Sequence, residues 1–201
     1  MENVNPYNQD SGRSVVSELR QQTHSEHVAL ENHAVMKKLM GSEATIRDYT
    51  QVLVKFYGFY RPLEESIRPY CTHEVNSLVK LKYPLLEKDL ACFHQKPGEF
   101  TRAADLPQVN SCAGALGVLY VLEGATLGGK LIRQHLQKQL GIRKGLHFFS
   151  CYDKEVGSHW RSFQQLLNTR LSEQPGKGEA IEAASRTFIQ LGTWLTRGMP
   201  A

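Results

Sequence analysis

The chain has 201 residues, 41% of them hydrophobic, with 24 Lys and Arg against 20 Asp and Glu for a formal net charge of +4. That supports one domain with a buried core, and no composition shift divides it into two. The basic residues are interleaved with acids, which excludes the dense stripe of a nucleic-acid binder; a basic rim for an anionic small molecule, a docking face for an acidic protein and an ordinary solvated surface all fit.

Cys71, Cys92, Cys112 and Cys151 are well separated, with no CxxC or Cys/His ligand cluster, and read as reduced thiols. The N-terminal MENVNPYNQDSGRS is polar where a secretory signal is basic and then apolar, and no apolar run reaches membrane-spanning length. The expectation is a cytoplasmic protein with a disordered leader over residues 1–12 and no membrane or nucleic-acid partner.

Helical periodicity runs through nearly the whole chain. Ser14 to about Met40 reads as a first helix, closed by Gly41. Ser42 or Thr45 caps a long second helix carrying Ile46, Tyr49, Val52, Leu53, Phe56, Tyr57, Tyr60 and Leu63, kinked at Pro62 and ending near Pro69. Asn76 to Lys96 is a third helical stretch interrupted by Pro84, followed by a Lys96-Pro97-Gly98 loop. Pro107 to about Leu140 is a glycine-interrupted helix pair, and 141–152 is an aromatic connection of weak strand character. Lys154 to Leu171 is a further helix, 175–178 a turn, and Glu179 to Leu195 an amphipathic last helix. The predicted fold is an all-α, single-domain array of six to eight helices.

The most informative segment is LYVLEGATLGGKLI, residues 119–132. Glycine is about 1 kcal/mol worse than alanine inside a helix, and Gly124 and Gly128 fall at i and i+4, concentrating that cost on one face. A close helix crossing is the commoner use of such a pair; with no small-residue partner helix evident, a flat ligand lying on the backbone becomes the stronger expectation.

Among eight histidines, His33, His73, His94, His135, His147 and His159 lack a partner at metal-ligand spacing and read as structural. His24 and His27 lie in THSEHVALE, with Glu31 one turn beyond His27. A carboxylate at i+4 can fix the tautomer and orientation of an imidazole whose other nitrogen binds a metal. No HExxH motif or carboxylate cluster is present, and one histidine suffices only for an iron whose in-plane ligands come from a porphyrin.

These two segments resemble the haem oxygenases. TxxxHxxLE, here Thr23, His27, Leu30 and Glu31, is similar to the family's proximal-helix motif, and YxxEGxxLGG, here Tyr120, Glu123, Gly124, Leu127, Gly128 and Gly129, to the distal-helix motif of its bacterial branch. YGFYRPLEESI (Tyr57 to Ile67) and HWRSF (159–163) match in order, so the resemblance runs from about residue 15 to 195 and implies a haem oxygenase-like domain over 13–201.

The resemblance implies that His27 is the proximal iron ligand and that haem, at once substrate and cofactor, lies between the first helix and the helix kinked at Gly124 and Gly128. It implies dioxygen-dependent opening of the ring at a meso carbon to biliverdin, ferrous iron and carbon monoxide. Catalysis falls to His27, Gly124 and Gly128; Arg20, Tyr120 and Arg161 match positions that meet the haem propionates; and Glu31, Ala125, Gly129 and Phe188 complete the pocket. Many relatives place an aspartate or serine where this chain has Ala125, so proton delivery falls to backbone carbonyls near Gly124, to Thr126, or to Tyr60 through water.

Electrons come from outside, from a ferredoxin or flavin reductase, because the chain has no GxGxxG of its own. The product serves a bilin-binding photoreceptor or the reaction releases iron. Two alternatives stand beside this reading: a haem carrier or sensor without turnover, for which Ala125 is the hint, and a thiamin-degrading enzyme of similar architecture, which requires a catalytic cysteine beside an acidic pair.

Overall fold

The computed structural model describes residues 14–172 and 176–197; the expected leader over 1–12 lies outside them. Ten α-helices are formed among these residues, and no strand. The count exceeds the predicted range because two predicted helices are subdivided.

The first predicted helix is three: α1 (Val15–Gln22), α2 (His24–Glu31) and α3 (Ala34–Leu39). Thr23 breaks it, at φ −107° and ψ 11°, with its hydroxyl donating 2.8 Å to the Leu19 carbonyl. Such back-bonding competes with regular helix geometry. The second break comes where Asn32 donates its side-chain amide to Val28 and His33 caps α3, its Nδ1 accepting the Val35 N–H at 3.2 Å.

Helix α4 (Ile46–Ile67) opens on a capping box between Thr45 and Asp48 and runs unbroken through Pro62. Proline supplies no N–H to the carbonyl four residues back. That carbonyl, of Gly58, instead accepts the Ala103 N–H at 2.8 Å. Gly58 permits the approach, since a Cβ there would stand 2.6 Å from the Thr101 carbonyl and 2.8 Å from the Trp194 ring.

Pro84 begins a helix rather than interrupting one. The third predicted stretch is α5 (His73–Leu78) and α6 (Tyr83–Cys92), with Pro84 in the first turn of α6, where its missing N–H costs no helical bond. Buried Glu64 of α4 accepts the N–H groups of Lys82 and Tyr83 at 2.8–3.0 Å, satisfying the start of α6.

Helix α7 (Cys112–Gly124), a 3-10 turn over Ala125–Gly128 and α8 (Gly129–Leu140) form one rod. Its Cys112–Leu140 span is long and apolar enough to cross a membrane, contrary to the expectation from apolar runs, but 56% of its most apolar window is buried in the protein, as in a core helix. The segment 141–152 forms no strand: Gly141, at φ 66°, closes α8, and 3-10 turns follow at Phe148–Ser150 and Asp153–Glu155. Helix α9 (Val156–Arg170) precedes α10 (Gly176–Thr196), which begins inside the segment read as a turn.

The core is a single cluster centred on α4, α7 and α10. Helix α10 packs along α7 and also carries α2, so one helix spaces the His27 segment from the glycine-bearing rod. The small-residue partner not evident in the sequence lies here: Ala180, Ala183 and Ala184 are buried on α10, and Ala180 meets Gly117, two turns before the motif glycines begin at Gly124.

Candidate functional site

Helix α2 buries none of its residues fully, although it carries Val28 and Leu30. It is tied to α10 by the Ser185 hydroxyl, which donates 2.7 Å to Glu26, and by an edge-to-face contact of the His27 and Phe188 rings at 5.6 Å. The hydroxyls of Ser25 and Ser185 hold the Glu26 carboxyl below its ordinary range. Nδ1 of His27 faces Glu31 at 3.8 Å, with both side chains more than half exposed. That is too long for a direct hydrogen bond and spans the i,i+4 relation.

The distal segment is shaped by what its glycines meet. A Cβ on Gly128 would have no neighbour within 4 Å, and one on Gly124 would meet only the Trp160 ring, at 3.7 Å. Gly129 differs: its Cβ direction runs into the Phe149 carbonyl at 2.7 Å, so its missing side chain serves the packing of α8 against the Phe148–Ser150 turn. Ala125 is exposed. Leu127 and Leu131 are also exposed, at 45% and 69%, so the bare backbone at Gly128 is flanked by uncovered apolar side chains.

Tyr120, one turn before Gly124, packs against Trp160 with the rings tilted and their centroids 5.9 Å apart. Burial raises the pKa of its phenol, while a hydrogen bond with Thr23 and the charge of Arg20 act the other way. Arg20, Thr23, Tyr120, Trp160 and Gly124 thereby form a chain of neighbours linking the end of α1 to the distal kink. Arg161 is exposed on α9 beside Trp160. An open groove of about 550 Å³ along α4, between Ile46 and Lys55 and reaching Gln95, contains none of the predicted residues.

Behind the distal kink is a buried ionic cluster that the sequence analysis did not anticipate. Lys82 and Glu123 are ion-paired at 1% and 0% side-chain exposure, and His159 Nε2 lies 2.8 Å from the other Glu123 oxygen. Burial pushes the Glu123 carboxyl up, but Lys82 and His159 outweigh it and hold it below the ordinary value. His159, read as structural, is stacked on Tyr152 at 3.6 Å. The available signal was Glu123 itself, a carboxylate inside the apolar run LYVLEG, because a buried charge requires a partner.

Of the three proton routes weighed for Ala125, the Thr126 hydroxyl is engaged, donating 2.6 Å to the Glu123 carbonyl. Tyr60 is buried against Phe148 at 5.2 Å, and burial raises its phenol far above the ordinary value. The thiamin-degrading alternative requires a reactive thiol beside an acidic pair; Cys151 does lie near Glu123 and Glu64, but burial raises its thiol, as it raises that of Cys71, away from the thiolate that such chemistry needs. Among the described residues no cluster of His, Cys, Asp and Glu is suited to a bare metal ion.

Comparisons with known proteins bear on the family and the fold. A heme oxygenase from Xanthomonas campestris pv. campestris (strain 8004) is 33% identical over 150 residues, 73% of this chain and 88% of that protein. The fold is similar to that of heme oxygenase from Leptospira interrogans (TM-score 0.76, 18% identity, 91% of this chain and 98% of that one). It is also similar to the NO- and CO-bound heme oxygenase from Neisseria meningitidis (TM-score 0.72, 23% identity, 92% and 91%) and to heme oxygenase-1 from the cyanobacterium Synechocystis sp. PCC6803, solved in complex with heme (TM-score 0.71, 16% identity, 90% of each chain). The Heme oxygenase family model matches residues 13–197, and on that span the chain belongs to the haem oxygenase family.

Proposed function

We propose that haem is the substrate and lies between α2 and the α7–α8 junction, where the chain degrades it with dioxygen and external electrons to biliverdin, ferrous iron and carbon monoxide. The observation that carries this reading is the bare distal face of a family member. Gly128 meets nothing within 4 Å and Gly124 only Trp160, so a flat ring fits where any larger residue would project. The exposed Leu127 and Leu131, and Val28 at 37% beside His27, supply apolar surface for such a ring.

His27 holds the iron in this reading, and Glu31 acts on its other ring nitrogen through water across the 3.8 Å gap. Phe188 fixes the imidazole plane by its edge contact. Arg20 and Tyr120, with Arg161 at the rim, meet the propionates; exposed guanidinium groups suit carboxylates. Haem supplies the redox-active iron and is the ring that is opened. A neutral imidazole ligand suits ring oxygenation, because a strongly donating thiolate favours O–O cleavage instead. Electrons come from a partner such as ferredoxin or a flavin reductase, docking on the mildly basic surface.

The test is turnover by the purified chain with haem, dioxygen, ferredoxin with its reductase or ascorbate, and catalase to remove free peroxide. Loss of the Soret band with appearance of biliverdin absorbance and carbon monoxide is expected. Stable haem absorbance without bilin overturns the reading.

A further inference from the structure

Among the described residues, three buried side-chain atoms have no hydrogen-bond partner: Arg133 Nε, Gln190 Oε1 and His135 Nε2. The first two belong to side chains anchored by another atom, Arg133 Nη1 on Ser150 and Asp153, and Gln190 Nε2 on Asp105. His135, read from the sequence as structural, has no such anchor among these residues. A buried polar atom without a partner bears the full cost of its lost hydration, so it marks a place where a ligand can contribute a hydrogen bond.

Helical register puts this nitrogen beside the proposed haem space. Gly128 is the N-cap of α8 and His135 lies seven residues on, so the two fall within about 20° of one another around the helix and about 10 Å apart along it. Gln139, one turn further, shares that face and donates to the Ser42 carbonyl, in the loop between α3 and α4. The adjoining face, with Gly129 and Leu136, is the one buried against the core. Helical side chains lean toward the helix N-terminus, which carries the His135 ring back toward Gly128. Bare backbone at Gly128, exposed Leu131 and the His135 imidazole thus follow one another along the side of α8 that turns toward the chain leaving α2.

The two ends of this space differ in chemistry. Arg20, Tyr120 and Arg161, assigned to the propionates, lie toward the α7 end, and His135 lies toward the α8 end. The haem edge remote from the propionates carries only methyl, vinyl and ring C–H groups, which offer an imidazole nothing. Opening the ring at the meso carbon of that edge leaves two lactam groups there, whose C=O and N–H match either tautomer of the imidazole.

We propose that His135 is a recognition residue for the product: its Nε2 hydrogen-bonds a lactam group that the opened ring has and haem lacks, so His135 strengthens binding of biliverdin without contributing to binding of haem. The inference rests on haem lying against the glycine face with its propionates at the Arg20 end, and it commits the ring to opening at the meso carbon opposite them.

The test is direct titration of the full chain, without turnover, using biliverdin opened opposite the propionates and, separately, ferric haem. His135→Leu should weaken biliverdin binding about tenfold, the size of one hydrogen bond, and leave haem affinity within about twofold of its original value. His135→Gln, which keeps a donor and an acceptor, should recover most of the loss. The biliverdin isomer opened between the propionates places its lactams at the other end and should be insensitive to both substitutions.

Unchanged biliverdin affinity in His135→Leu overturns the proposal. So does an equal loss for haem and biliverdin, which reports a structural role, or an equal loss for the two isomers, which takes the contact away from that edge. Failure of the unsubstituted chain to bind haem would instead overturn the functional reading beneath it.

Discussion

Gly117 of α7 and Ala180 of α10 bring two backbones into contact: a Cβ on Gly117 would overlap the Ala180 carbonyl. Helix α10 also carries Phe188 against His27, and α7 leads directly into Gly124. The glycine at 117 therefore sets the separation between the two walls of the proposed haem site without lining it.

Gly117→Ala should consequently destabilise the fold. No flexible side chain can yield there, so α7 and α10 must separate, and overpacking of this kind costs on the order of 1–3 kcal/mol. The midpoint of urea unfolding should fall with the slope unchanged. A variant as stable as the unsubstituted chain would show that the helices are not held this closely.

Gly128 should behave in the opposite way. Its Cβ direction is open and it lies in a helical rod, so Gly128→Leu should keep or raise stability, by up to about 1 kcal/mol from propensity alone. Haem affinity should nevertheless drop, because the side chain would project into the space assigned to the ring. Haem titration and thermal unfolding on the same sample separate the two effects. Unaltered haem affinity and turnover would move the ligand off this face.

His27→Ala should abolish the histidine-ligated Soret and visible bands, while His24→Ala should leave them in place. His24 and His27 are both exposed on α2, but His27 is the one in contact with Phe188 and opposite Glu31. Loss of the bands in His24→Ala with retention in His27→Ala would reverse the axial assignment.

The helical class, Thr45 as a helix cap and the glycine break at 124–128 were legible because each follows from local rules: a period, a cap, a residue without Cβ. The break at Thr23 was not, since threonine is tolerated within helices and only its hydroxyl's turn toward Leu19 decides the outcome. Pro84 was misread for a related reason. A proline that starts a helix and one that interrupts it look alike until the residue capping it, here Glu64 from 20 positions earlier, is located. The motif glycines also divided by tertiary context: Gly124 and Gly128 face open space or a ring edge, Gly129 faces backbone, and the tight crossing belongs to Gly117. The Lys82–Glu123–His159 cluster joins residues 41 and 36 positions apart, a separation that no periodicity reports.

Glu64 offers a test of stability against pH. Burial pushes its carboxyl up to about 7 from 4.5, against the charge of Lys82 and the N–H groups of Tyr83 and Lys82, which favour the ionised form. A carboxyl whose pKa is raised by folding contributes stability that is fully present below its unfolded value and is lost as pH rises through its folded value. The window is therefore about pH 4.5 to 7, with stability falling as pH rises. Glu64→Gln keeps an oxygen for the backbone of α6 but cannot ionise, so it lacks this slope. Between pH 4.5 and 8 the unsubstituted chain should lose on the order of 2–3 kcal/mol relative to the variant, at about 1.4 kcal/mol for each pH unit separating the two values. Urea unfolding of both proteins across that range measures the difference directly. A constant gap would mean that the backbone N–H groups and Lys82 keep Glu64 ionised throughout, and that its burial is fully compensated.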